Sequence, residues 1–231
     1  MIRTIALVAL LLFVAALAPA VHAQDVPAGV RIQGGYVSGN EYLDMSVQQR
    51  EAYVAGLLLG MRLAPSFGAP LDRLDWLNGC TTVLDRAALA QRIYDALFAD
   101  AKLWDNRNPA KMYRAVVAGC RAAAKGARTA AATPFTVNDY VAMGGLEKKE
   151  FVSGLIEGML LAPAFGGQES RMDWFLSCTA AHDRLQMRAK LNAFVMAHNE
   201  LWPETSPAPY FRAVADACAE WANQRPQNSG R

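Results

Sequence analysis

The sequence contains itself twice. Gly56 to Gly68 reads GLLLGMRLAPSFG, and Gly154 to Gly166 reads GLIEGMLLAPAFG. The offset of 98 residues holds without a gap from Tyr42/Tyr140 to Cys120/Cys218, and 28 of those 79 aligned pairs are identical. Unrelated globular chains agree at roughly one position in sixteen. The chain is therefore a tandem duplication of one domain, and whatever fold one copy adopts the other must also accommodate.

The duplication organises the cysteines. All four, Cys80, Cys120, Cys178 and Cys218, fall at equivalent places, with 40 residues between the members of each copy. Matched pairs in a secreted chain predict disulfides, and one bridge inside each copy, Cys80–Cys120 and Cys178–Cys218, is the connectivity a duplicated unit favours. Each would stabilise the fold by roughly 4 kcal/mol in the chain-entropy picture. A metal site is the rival reading, but no cysteine pair has C-x-x-C spacing and no histidine recurs with them, so no metal or cofactor is expected.

Secretion is read from the first residues. MIRTIALVALLLFVAALAPAVHAQ carries one early cation, Arg3, then an apolar run from Ile5 to Leu17 and small residues at Val21 and Ala23. This is the pattern of a signal peptide over residues 1–23, cut after Ala23. The apolar run is shorter than the roughly 20 residues a membrane span needs. The expected location is periplasmic or secreted, with no membrane span after cleavage. Formal net charge is only +2, and no basic stripe appears, which argues against a nucleic-acid partner.

Periodicity predicts an all-α chain: two tandem copies of a four-helix, disulfide-stapled bundle. A loose lead covers 24–40, the first repeat 41–124, a linker 125–139, the second repeat 140–222 and a polar tail 223–231. The S-x-x-Q pattern at Ser46–Gln49 caps the first helix, whose apolar face is Tyr53, Leu57 and Met61; Phe151, Leu155 and Met159 repeat it. Pro65 and Pro163 stop these helices. Inside them lie Gly56 and Gly60, and Gly154 and Gly158. An interior glycine costs about 1 kcal/mol against alanine, so close approach of another backbone is the expected reason, with a helix of the same copy as the neighbour.

Asp75-Trp76 and Asp173-Trp174 precede the first cysteine of each pair. The tryptophans are read as core aromatics shielding the disulfides, and the aspartates as caps or arginine partners. A long helix opens at Asp85 or Asp183, natural N-caps, and is closed by Trp104 or Trp202, also read as core aromatics. A last helix begins after Pro109 or Pro207.

Catalytic motifs are absent: there is no G-x-S-x-G, H-E-x-x-H, Walker loop or G-x-G-x-x-G after a strand. His182 and His198 have Leu84 and Asp100 as counterparts, so neither belongs to a shared design. Asp75 with Asp85 and Asp173 with Asp183 are the only acids at matching positions, and capping explains them better than glycosidase chemistry. No catalytic residue is assigned.

R-x-x-YVAGLLLGM or KEFVSGLIEGM, then Trp-x-x-x-Cys, a helix opening at Asp-Arg, and a closing Arg-Ala-Val-x-x-x-Cys resemble the Tai/Rap family of immunity proteins against type VI secretion amidase effectors. The resemblance covers Tyr42–Cys120 and Tyr140–Cys218, and only the cysteines carry over residue by residue. Family members resemble a single copy, and the Ala-Pro-x-Phe-Gly exit departs from their pattern. The resemblance implies a non-enzymatic periplasmic protein that binds a cell-wall amidase and occludes it. Two rival readings are a carrier holding a small apolar ligand between the repeats and an envelope enzyme using Asp75, Asp173 or His182.

Overall fold

The computed structural model describes residues 30, 32, 34–82, 84–100, 102, 105, 107, 109–123 and 134–224. The expected signal peptide, Trp104, the first part of the expected linker and residues 225–231 of the tail lie outside them. Among the described residues every regular element is helical. The first half runs α1 (Gly39–Leu43), α2 (Val47–Arg62), a 3-10 turn (Ala64–Phe67), α3 (Asp75–Thr81), α4 (Arg86–Phe98) and α5 (Ala110–Ala123). The second half repeats it as α6 (Val137–Ala142), α7 (Gly145–Leu160), a 3-10 turn (Ala162–Phe165), α8 (Asp173–Ala181), α9 (Arg184–Ala197) and α10 (Ala208–Gln224).

Local chemistry accounts for the boundaries. Ser46 caps α2 through a reciprocal box with Gln49, as its spacing predicts. Asp85 and Asp183 accept from the backbone N–H of Ala88 at 2.7 Å and Gln186 at 2.8 Å, satisfying otherwise orphaned donors of α4 and α9. Beyond each proline the chain tightens into a 3-10 turn and leaves through Gly68 or Gly166, whose φ of 88° and 89° require glycine. The two bridges are those the spacing predicts, Cys80–Cys120 and Cys178–Cys218, each with a Cα–Cα distance of 5.4 Å.

The all-helical fold of two repeated, disulfide-stapled halves is as expected, and among the described residues the short α1 and α6 add a fifth α-helix to each half, held by capping boxes of Ser38 with Glu41 and Thr136 with Asp139. Three expectations are corrected. The lead and linker therefore end earlier than 40 and 139. From Gly35 the chain lies against Glu157, and Val37 is fully buried. α4 and α9 stop at Phe98 and Ala197, short of the tryptophans; Trp202 follows a separate turn and donates its indole N–H to the Val195 carbonyl at 3.0 Å. Asp75 and Asp173 are exposed first-turn residues of α3 and α8, with no side-chain cap bond at either helix start.

The two repeated bundles share one core. One hydrophobic cluster runs through both, and α2 against α7 is the most extensive helix pair in the molecule. In each half α4 or α9 packs on its own central helix and α5 or α10 packs in turn on α4 or α9, so the paired α2 and α7 form the spine of the molecule.

Candidate functional site at the seam between the halves

The four glycines explain how α2 and α7 come so close. A Cβ built on Gly56 would sit 2.0 Å from the Phe151 carbonyl oxygen, and one on Gly154 would sit 2.0 Å from that of Tyr53. Gly60 and Gly158 meet the carbonyls of Leu155 and Leu57 at 2.2 and 2.3 Å in the same sense. Close packing at these residues is as the sequence predicts, but the neighbour is the helix of the other copy, not one of the same copy. The contacts are reciprocal, so the halves are related by a pseudo-two-fold axis, with α2 and α7 running in the same direction. Backbone fills the space between the glycine faces, which leaves no room there for a ligand.

The Ala-Pro-x-Phe-Gly exits cross the same seam. Phe165 of the second half stacks on Trp76 of the first, with ring centroids 6.1 Å apart and planes 5° apart, and meets Tyr113 edge-on at 5.6 Å. Reciprocally, Phe67 packs on Trp174, Phe175 and Phe211 at 6.4, 5.7 and 5.9 Å. Equivalent rings therefore have equivalent partners, yet their exposure differs. Trp76 is 7% exposed and Trp174 is 38% exposed. Trp76 is the core aromatic its position predicts. Trp174 is corrected to a surface residue, held by an aromatic cluster on one side and open to solvent on the other.

At one end of the seam the symmetry breaks in chemistry. Glu157 on α7 is fully buried, as are Tyr53 on α2 and Lys111 on α5. The Tyr53 hydroxyl donates to one oxygen of the Glu157 carboxylate, and the Val37 backbone N–H donates to the other at 2.6 Å. Lys111 donates through Nζ to the Val37 carbonyl at 3.0 Å. Gly35 lies against the same carboxylate: a Cβ there would fall 2.6 Å from Glu157 Oε1. Burial raises the Glu157 pKa to about 7, against the pull of the Tyr53 and Val37 hydrogen bonds and the Lys111 charge. Burial likewise lowers Lys111 to about 8, with Glu157 opposing. Nearer the surface Glu41 is bridged by Arg184 at 2.9 Å and Arg107 at 3.4 Å, the first of these tying the halves together.

The equivalent end is apolar. Phe151 stands where Tyr53 does, Leu59 where Glu157 does, Phe135 where Val37 does and Pro209 where Lys111 does. Phe135, Phe151, Tyr140 and Tyr210 pack there as a ring cluster with centroids 5.1 to 6.5 Å apart. Sequence reasoning missed the ionic cluster. Its one visible signal is the glutamate in GLIEGM, a charge set between two glycines in an otherwise apolar run.

The remaining candidates are dispersed. His182 sits at the end of α8 with Nδ1 3.0 Å from the Cys178 carbonyl, and its own carbonyl accepts from the Tyr36 hydroxyl at 2.9 Å. His198 lies beside Glu200 at 2.9 Å on the surface. Among the described residues no three His, Cys, Asp or Glu side chains gather into a metal-binding group, and no helix is long and apolar enough to cross a membrane. A cavity of about 190 Å³ lies between the N-terminal segment and α7–α8, lined by Gly34, Tyr36, Ile156, Leu160, Leu176 and Thr179, among others. No protein-family model matches the chain, and no curated protein and no solved structure matches it either.

Proposed function

We propose that this is a non-enzymatic binding protein of the periplasm whose partner is another protein, in the manner of an immunity protein that seats on a cell-wall amidase effector and blocks it. The observation that carries this reading is Trp174. A tryptophan 38% exposed, stacked on Phe67 and fixed by Phe175 and Phe211, is a rigid aromatic anchor of the kind that dominates protein interfaces. Its repeat equivalent, Trp76, is buried, so solvent exposure is not a requirement of the fold at this position. Two disulfides fit an oxidising compartment. They also brace the tryptophan-bearing helices α3 and α8 against α5 and α10, which reduces the ordering cost of association.

The test is inhibition. Mature protein would be titrated into peptidoglycan amidases of type VI secretion systems while cell-wall digestion is followed. Stoichiometric inhibition is expected, with Trp174→Ala weakening it about tenfold or more, the ordinary loss at an aromatic anchor. An amidase panel left fully active, together with no partner recovered from envelope extract at micromolar protein, would sink the proposal.

A further inference from the structure

The interface between α2 and α7 poses a problem of choice. Both helices carry the same Gly-x-x-x-Gly face, and each face meets the backbone of the other at equivalent points. A surface of this kind is self-complementary: the α2 face of one chain has the shape to receive the α2 face of a second chain, and α7 likewise. Duplication therefore offers three pairings, first half with second, first with first, and second with second. Backbone contacts alone do not tell them apart.

We infer that the buried Tyr53–Glu157–Lys111 cluster is a pairing-selectivity element, which makes the first half accept the second half and reject a copy of itself. In the observed pairing the Glu157 carboxylate from the second half receives the Tyr53 hydroxyl and the Val37 N–H from the first, and it offsets the charge of Lys111, also from the first. Were two first halves paired by the same axis, position 53 of one would face position 59 of the other. Two tyrosine hydroxyls would meet Leu59, and two buried Lys111 side chains would lose the Glu157 carboxylate and keep only the partly exposed Glu41 of their own half. Were two second halves paired, two Glu157 carboxylates would face Phe151 and the surrounding rings, without a tyrosine hydroxyl or a lysine. Each wrong pairing leaves two buried ionisable side chains without the partners that satisfy them here, and a buried polar group stripped of its partners is among the more costly defects a protein interior can hold.

The molecule contains its own control. At the equivalent end the same backbone geometry is built from Phe151, Leu59 and Phe135, all apolar, so the fold does not need an ionic cluster at this place. Buried ion pairs are weak contributors to stability relative to well-packed apolar residues, and selecting register or partner is their best-attested use.

The experiment removes the element by giving both ends the apolar solution. Full-length mature protein and the variant Tyr53→Phe/Lys111→Met/Glu157→Leu would be unfolded with their disulfides reduced, then refolded and reoxidised over a range of concentrations. Each refolding would mix unlabelled with ¹⁵N-labelled chains. Mass by light scattering gives the dimer fraction, and lysine cross-linking with mass spectrometry tests for links between α7 of one chain and α7 of another through Lys148 and Lys149. Wild type is expected to return as monomer. The variant is expected to raise the dimerisation constant about tenfold or more, with heavy-to-light links joining the two α7 helices. Should the triple variant not fold, Lys111→Met/Glu157→Gln removes both charges while leaving Tyr53 and Val37 a neutral side-chain partner, and the same gain in dimer is expected. A folded variant that remains monomeric, dimers without α7-to-α7 links, or a wild type that already forms such links would each overturn the inference.

Discussion

The two ends of the seam are the same place built twice with opposite chemistry. At one end Tyr53, Glu157 and Lys111 are buried together with the N-terminal segment laid over them. At the other, Phe151, Tyr140, Tyr210 and Phe135 fill the equivalent space with rings. Between them the glycine faces and the crossing phenylalanines are nearly identical. What shape requires has been kept in both copies, while what polarity can vary has diverged. The difference shows that the backbone arrangement tolerates either a hydrogen-bonded ionic core or an aromatic one, and that identity between the halves marks steric necessity.

The largest expected effect separates the two tryptophans. Trp76→Ala removes a buried ring stacked on Phe165, and should cost about 3–5 kcal/mol in chemical denaturation. Trp174→Ala removes a ring already open to solvent, and should cost about 1 kcal/mol while leaving the fold intact. Equal losses would break the assignment of Trp174 as a surface anchor. The glycines should behave oppositely, as a matched pair. Gly56→Ala and Gly154→Ala each place a methyl group 2.0 Å from a backbone oxygen of the facing helix, which cannot move without separating the halves. Alanine is worth about 1 kcal/mol over glycine in an exposed helix. Here each substitution should instead destabilise by about 3 kcal/mol or more, by similar amounts in the two copies.

Titration should distinguish the ends next. Glu157 has a folded pKa of about 7, raised from 4.5, so between those values the native protein holds a proton that the unfolded chain has released. Its contribution to stability is greatest below pH 4.5 and is lost as pH rises to 7. Lys111 is lowered from 10.5 to about 8; above pH 8 the unfolded chain holds the extra proton, so stability recovers between 8 and 10.5. The wild type should therefore show a minimum near pH 7–8, on the order of 3 kcal/mol deep, from intervals of about 2.5 pH units on either side at about 1.4 kcal/mol per pKa unit. Measuring unfolding free energy across pH 4 to 10 checks it. In Tyr53→Phe/Lys111→Met/Glu157→Leu the minimum should vanish, and its persistence would place the pH dependence elsewhere.

Much of the fold was legible because it is written in local chemistry. Ser46 with Gln49, Asp85 and Asp183 announce helix starts, Pro65 and Pro163 announce stops, and equal cysteine spacings announce the bridges. The short helices α1 and α6 were not read, although SGNE and TVND carry their capping boxes, because five or six residues give no periodicity to detect. The partner of the glycine faces was also out of reach. Spacing shows that a helix face must be approached closely, but nothing local says by whom, and here the answer is a helix 98 positions away. The ionic cluster was hidden for the same reason. Glu157 finds its donors 104 and 120 residues earlier in the chain, and only the fold brings them together.

The smallest predicted effect lies in the aromatic end and tests how well it is satisfied. Tyr42 and Tyr140 are equivalent and both fully buried. The Tyr42 hydroxyl donates to the Ala90 carbonyl at 3.0 Å, whereas the Tyr140 hydroxyl has no hydrogen-bond partner among the described residues. Removing a made hydrogen bond costs about 1 kcal/mol, while removing a buried hydroxyl that has no partner relieves its desolvation. Tyr42→Phe should accordingly lower the unfolding free energy in chemical denaturation, and Tyr140→Phe should leave it unchanged or raise it by up to about 1 kcal/mol. Such a gain would mean that the phenol at 140 is a polar group in a site that does not use it, beside a Phe151 that carries no hydroxyl where position 53 has one. A loss as large as that of Tyr42→Phe would mean that the second copy satisfies its tyrosine after all, and that the two ends are closer in chemistry than their hydrogen bonds indicate.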